Sequence, residues 1–233
     1  MLQILQDYGI LLLVGQFPDG PIGGLALTLF LAISGLLCSF PIAILVGVAR
    51  TSKIKVIYYP VSALVHAIRG LPALLIIFWA YFIIPLVLGR TISGIATVIC
   101  ALVVYEIAFM GEVVRAGVES IPKGQVEAAR SLGMSYFKTL HRVILPQALY
   151  QMIPSILNQF INLIKNTSLG YIISVNELTY SAYQVNSQLL IRPFEVYFLL
   201  AMIYFLLCWS LGLLIFQIEK RIKIHRQIST RSI

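Results

Sequence analysis

The sequence predicts an all-α membrane protein of about five transmembrane helices, and three observations carry that reading. The chain of 233 residues is 59% hydrophobic and 11% charged, where soluble globular domains carry roughly 25% charge. Its apolar residues gather in uninterrupted runs, several of which reach the roughly 20 residues that a helix needs to cross the hydrocarbon core. Its Lys and Arg residues fall between those runs, mostly in every second connection. At this length the spans and their connections use up the chain, so a single polytopic transmembrane domain, 1–233, is expected with no large extramembrane part.

The first segment, 2–14, carries Asp7 and lacks the basic start and small-residue cleavage site of a secretory signal, so it reads as a retained amphipathic or interfacial segment, the alternative being that it partly enters the bilayer. The charge-free runs Gly20–Ala49 and Gly70–Gly89 place the first two helices, at about 22–49 and, extended back through Arg69, 60–88. The third helix is expected at 91–114, with Glu106 and Glu112 close to its far end, where water or protein can relieve their cost. Residues 116–151 form the longest connection. The next apolar run contains Leu145, Pro146 and Pro154, which argues for a loop up to 151 and a fourth helix at 152–173. A polar connection, 174–193, precedes the fifth helix at 196–218.

Charge sets the orientation. Arg50, Lys53 and Lys55 follow the first helix; Arg115, Lys123, Arg130, Lys138 and Arg142 follow the third; Lys220, Arg221, Lys223, Arg226 and Arg231 follow the fifth. The opposite connections hold only Arg90 and Arg192. The positive-inside rule therefore predicts an external N-terminus, a cytoplasmic C-terminus and a cytoplasmic 116–151 loop. The net charge of +8 reports this topology, and no nucleic-acid partner is expected. The lipid bilayer is the partner that the composition demands.

Three chemistries lack their residues. Cys38, Cys100 and Cys208 are far apart inside apolar runs and read as packing residues. His66, His141 and His225 show no ligand spacing, so no metal site is expected. Neither a phosphate-binding Gly-x-x-x-x-Gly-Lys-Ser/Thr loop nor a Gly-x-Ser-x-Gly nucleophile elbow occurs, so no catalytic residue is assigned. An energy source, where one is needed, has to come from another polypeptide.

The long loop carries the most specific signal. It reads Gly124-Gln125-Val126-Glu127-Ala128-Ala129-Arg130-Ser131-Leu132-Gly133, then Val143-Ile144-Leu145-Pro146. Two small residues at 128 and 129 let a short helix seat in a groove, Gly133 ends it, and Glu127 offers a charge for a cap or an ion pair. This stretch resembles the EAA signature of ABC importer permeases, in which Glu-Ala-Ala, three residues, Gly and nine residues lead to an aliphatic-x-Leu-Pro; the spacing matches in full, with Val143 where Ile is commoner. Arg69-Gly70-Leu71-Pro72, Glu112-Val113-Val114-Arg115-Ala116-Gly117, Asn158 and Lys165-Asn166-Thr167-Ser168-Leu169 resemble further stretches of permeases of the polar amino acid type. Leu71 replaces Thr, and Ala116 replaces Gly, in those patterns.

The resemblance implies a type I ABC importer permease in the bacterial plasma (inner) membrane. It further implies a pore shared with a second permease, identical or paralogous, and a cytoplasmic ABC ATPase dimer gripping Gly124, Glu127, Ala128, Ala129, Gly133, Leu145 and Pro146. An extracytoplasmic amino-acid-binding protein would deliver the solute. No cofactor is expected on this chain, ATP being used by the partner subunits.

Ser155, Asn158, Asn162 and Lys165 recur at three- or four-residue steps and share one helix face. Unpaired amides and ammonium groups are costly in lipid, so this face meets a cavity or another helix. Two readings stay open: a lining of a translocation path, to which the resemblance adds Thr167 and Ser168, or a polar interface with Lys165 reaching Glu106 or Glu112. Arg69, before Gly70 and Pro72, reads either as part of a gate or as a residue snorkelling to the headgroups beside a proline kink. Glu112 and Arg115 are spaced to pair on one helix. An intramembrane enzyme and a non-transporting scaffold or sensor are the competing functional classes.

Overall fold

Apolar runs with few interior Gly residues favour helix, because in lipid only helices and closed barrels satisfy the backbone. The computed structural model describes residues 2–231, with side chains described for 3–222. It contains helices α1 (Leu2–Val14), α2 (Gly24–Ala49), α3 (Lys55–Arg69), α4 (Ala73–Leu88), α5 (Gly94–Glu119), α6 (Lys123–Ser131), α7 (Tyr136–Thr139), α8 (Leu145–Thr167), α9 (Leu178–Leu189) and α10 (Pro193–Arg231). A π turn, Leu140–Ile144, leads into α8, and a 3-10 turn, Ser168–Ile173, follows it. Among the described residues there is no strand; backbone pairing is limited to the bridges Gly15–Ile22 and Gly24–Glu177.

Three helices are long and apolar enough to cross a membrane: Gly24–Ala49, Gly94–Glu119 and Pro193–Ile222. The pair α3 and α4 counts as a fourth only if taken as one broken span. The run expected as one helix at 60–88 is thus two. Gly70 closes α3, its amide donating to the His66 carbonyl (2.9 Å), and Pro72, which has no amide proton, opens α4. The fourth expected helix also differs. It begins at Leu145 rather than 152, because Pro146 lies in the first turn of α8, where a missing amide costs nothing. It stops being α-helical at Thr167. Its 23 residues reach ~34 Å at 1.5 Å per residue, but its polar face lowers its hydropathy below that of the other spans.

The chain divides into two compact units. One comprises Met1–Cys38, Leu71–Tyr105 and Phe160–Leu211. Its core gathers Leu27, Leu31, Val98, Leu102, Leu163 and Ile164. A second cluster buries Ile4 and Leu12 of α1 against Leu178, Ala182 and Val185 of α9 and Val196 and Leu199 of α10. The N-terminal helix expected at the interface is therefore held by protein on one side, while Ile10 and Leu13 stay exposed.

The other unit comprises Ser39–Gly70, Glu106–Gln159 and Gly212–Ile233, and packs Val114, Ile121, Leu140, Ile144, Ala148 and Met152 together. Here α2 and α5 approach closely at Gly47. A Cβ at that position would sit 2.5 Å from Val114 Cβ, so only glycine permits the crossing. Cys38 and Cys100 are exposed free thiols and Cys208 is half-buried. The side chains of Lys223, His225, Arg226 and Arg231, part of the basic C-terminal segment, lie outside those described.

Candidate functional site: the α6 surface, an arginine hub and the polar face of α8

Lys123–Ser131 forms α6 because Pro122 presets its entry and Gly133 its exit. Gly133 holds φ +78°, and the amides of Gly133 and Met134 donate to the carbonyls of Arg130 (3.0 Å) and Ala129 (3.2 Å), a Schellman closure. Gly124, Glu127, Ala128 and Ser131 are exposed and follow helical spacing, while Ala129 is buried. The two alanines thus divide the work: Ala129 fixes α6 to the unit, and only Ala128 faces outward. Glu127 is exposed and, among the described residues, enters no ion pair; its backbone carbonyl accepts from Ser131 Oγ at 3.0 Å.

Leu145 and Val126 pack on the same core cluster, and Pro146 is exposed. The distant Leu-Pro of the motif therefore fixes the start of α8 on the core that seats α6. The sequence reading missed Leu132 and Phe137, which are 83% and 79% exposed beside that ridge. Large apolar side chains next to a glycine-ended helix were a signal that could have found them.

In the same unit, Glu112 of α5 is a hub for three arginines. Arg50, which ends α2 and is only 4% exposed, donates to it; Arg69 at the end of α3 lies 3.2 Å away; Arg115 bonds it at 2.5 Å and also pairs with Glu119. Arg50 Nε donates to Ser62 of α3 at 3.4 Å, and the Arg69 guanidinium stands 5.4 Å from the Phe109 ring centre. The pairing of Glu112 with Arg115 is present as expected. Arg69 does not snorkel alone; it ties α3 to α5. Arg50 was missed because its partner is 62 positions away in sequence. Glu112 also borders an open cavity of about 530 Å³ lined with Ser120, Gln151, Ser155 and Glu219.

Along α8, Ser155, Asn158, Asn162 and Lys165 are all exposed, so the polar face expected from their spacing exists and is uncovered in this single chain. Thr167 and Ser168 do not join it. Thr167 is fully buried with its hydroxyl on the Ile164 carbonyl (2.7 Å), and Ser168 donates to the Lys165 carbonyl (2.6 Å). Both hydroxyls satisfy carbonyls freed where the α-helix gives way to the 3-10 turn. Of the two carboxylates weighed as partners for Lys165, Glu112 is held by arginines. Glu106 accepts from Gln159 Nε2 at 3.2 Å and is otherwise buried, its second oxygen without a hydrogen-bond partner.

Outside the spanning helices, Glu177 is fully buried and caps α9, accepting from the amides of Thr179 and Tyr180 at 2.9 Å and from Tyr204 at 3.2 Å. Burial pushes its carboxyl up to about 7, against the opposing pull of those donors. Among the described residues no group of three or more His, Cys, Asp or Glu could hold a metal ion.

A family described as the binding-protein-dependent transport system inner membrane component matches residues 39–224. The chain belongs to that family. It is 40% identical, over 85% of its length and 91% of the relative's, to the probable glutamine ABC transporter permease protein GlnP of Bacillus subtilis. It is 30% identical, over 95% of its length and 97% of the relative's, to the histidine/lysine/arginine/ornithine transport system permease protein HisM of Salmonella typhimurium. The structure of an amino acid ABC transporter with histidines matches with a TM-score of 0.77 and 31% identity, covering 85% of this chain and 92% of that one. An inward-facing methionine ABC transporter, MetNI, shares the fold at TM-score 0.64 and 23% identity, covering 83% and 91%. The chain is accordingly a permease subunit of a bacterial inner-membrane ABC importer, a multi-pass transport component and not an enzyme, and ATP hydrolysis lies in separate subunits.

Proposed function

We propose that this permease carries polar amino acids inward by alternating access, with its α6 surface as the contact through which a cytoplasmic ATPase dimer drives it. The observation that carries this reading is the α6 ridge: Gly124, Glu127 and Ala128 are open on a helix that Ala129, Leu145 and the Gly133 closure hold rigidly. A small-residue ridge of this kind fits a socket on a partner, and movement of the socket is passed to α8 through the shared core. Relatives named for glutamine and for histidine, lysine, arginine and ornithine support the solute class.

In this reading the chain crosses five times, by α2, α4 with its flanking residues, α5, α8 and α10, with the N-terminus outside. It pairs with a second permease copy or paralogue, and a binding protein hands solute to the outer face. ATP acts on the partner subunits only. Ser155, Asn158, Asn162 and Lys165 line the solute route. A second reading rests on the same exposure: the α8 face can instead be the seam between two permeases, since polar groups also bond helices together.

The test is reconstitution of the complete complex in vesicles, with an uptake screen of labelled amino acids. Glu127→Lys and Gly133→Asp are expected to leave the complex assembled in the membrane while uncoupling ATP hydrolysis from uptake; wild-type coupling in both would refute the docking assignment. Asn162→Leu separates the two roles of α8, lowering uptake without loss of permease pairing if the face lines the route.

A further inference from the structure

Helix α3, Lys55–Arg69, is amphipathic. Lys55, Ser62, His66 and Arg69 follow one another at steps of seven, four and three residues and form a polar stripe. Protein occupies part of that stripe, through the Arg50–Ser62 bond and the Arg69–Glu112 pair. Only Ser62 and Val65 of the helix are buried. The opposite arc is apolar and open: Val56 is 83% and Leu64 62% exposed, with Pro60 between them and Ile57 alongside. Tyr58 and Tyr59 are also exposed and meet edge to face.

The helix is too short to span. Its 15 residues reach ~22 Å, less than the ~30 Å hydrocarbon thickness, and its hydrogen-bond ladder stops at Gly70 before Pro72 opens α4. Its charges are placed against its own dipole. Lys53 and Lys55 stand exposed at the N-terminal end, and no acidic residue lies in the first turn. Cations at the positive end of a helix are unfavourable unless anions come from elsewhere.

We propose that α3 lies in the plane of the membrane at headgroup depth, its Val56–Leu64 arc among the upper acyl chains, with Lys53 and Lys55 binding the phosphates of anionic lipid. An apolar arc, a basic polar margin and interfacial tyrosines are the features such a helix needs. The lysines and the bare helix N-terminus favour an anionic lipid surface over a second copy of this chain, whose own corresponding segment carries the same positive charge. The assignment to the inner leaflet rests on the orientation proposed above; the depth does not.

Two measurements test this, and neither requires the solute to be known. The first uses Leu64→Cys with Cys38, Cys100 and Cys208 replaced by Ser, nitroxide-labelled in the full complex in vesicles. The label is expected to be open to oxygen, shielded from a water-soluble nickel chelate, and ~5–10 Å below the phosphates. A label open to the nickel chelate, or one shielded from both and broadened by a second label, overturns the proposal in favour of water or of a second copy. The second measures the association of spin-labelled phosphatidylglycerol relative to phosphatidylcholine with wild type and with Lys53→Gln/Lys55→Gln. Selectivity is expected to fall about fivefold per lysine, the equivalent of about 1 kcal/mol each at an anionic surface; equal selectivity in both proteins contradicts the lysine assignment. Failure of amino-acid uptake would leave both readouts intact, so the two accounts fail separately.

Discussion

Glu106 and Glu112 lie on one helix, under two turns apart, and have opposite surroundings. Glu112 gathers Arg50, Arg69 and Arg115 and so joins α2, α3 and α5 at their ends. Glu106 is fully buried with a single amide, Gln159 of α8, as its donor. Charge within a span is accommodated by an ionic cluster where arginines can reach it, and by a lone hydrogen bond where they cannot. The first arrangement holds elements together strongly and the second weakly.

The sharpest break of that comparison is Glu112→Ala. It leaves Arg50 buried without its carboxylate, and breaking a buried pair by removing one partner costs about 3–5 kcal/mol. The variant is expected to lose most of its folded population in detergent, read as a collapse of the melting transition. Glu106→Ala should cost about 1–3 kcal/mol, the penalty of a lost buried bond, and lower the melting temperature without abolishing the fold. Glu106→Gln keeps the shape and a partner for Gln159, so a change under about 1 kcal/mol is expected; a loss as large as that of Glu112→Ala would show that the two sites do not differ as described.

Glu177 extends the comparison outside the spans. Its folded carboxyl is raised to about 7, above its ordinary range, so folding favours the protonated form. The contribution of Glu177 to stability is therefore greatest below the unfolded value near 4.5, falls as pH rises toward 7, and is level above it. Glu177→Gln is expected to flatten that slope in melting curves between those limits. An unchanged slope would assign the pH dependence to other groups.

Much of this was legible in the sequence because it is local. The apolar runs gave α2, α5 and α10; the small residues and Gly133 gave α6 and its closure; the steps of Ser155, Asn158, Asn162 and Lys165 gave an exposed polar face. What escaped depends on contacts between distant residues. Arg50 reads as one more positive-inside residue until Glu112 is folded beside it. Ala128 and Ala129 look equivalent until packing buries one. Thr167 sits next to a polar face in sequence, yet the end of the α-helix turns its hydroxyl onto Ile164. The prolines misled in two ways: Pro146 opens a helix that it was expected to exclude, and Gly70 with Pro72 divides one that composition left continuous.

The open side of α6 is the surface on which the ATPase is proposed to act. Ala128→Cys, placed in a cysteine-free chain and assembled with the ATPase and binding protein in vesicles, measures it by cross-linking to the ATPase subunit. A strong cross-link whose yield changes with nucleotide is expected, while Leu13→Cys, at an exposed position of α1, is expected to give none. Equal or absent cross-linking at 128 in a complex that hydrolyses ATP and takes up solute would contradict it.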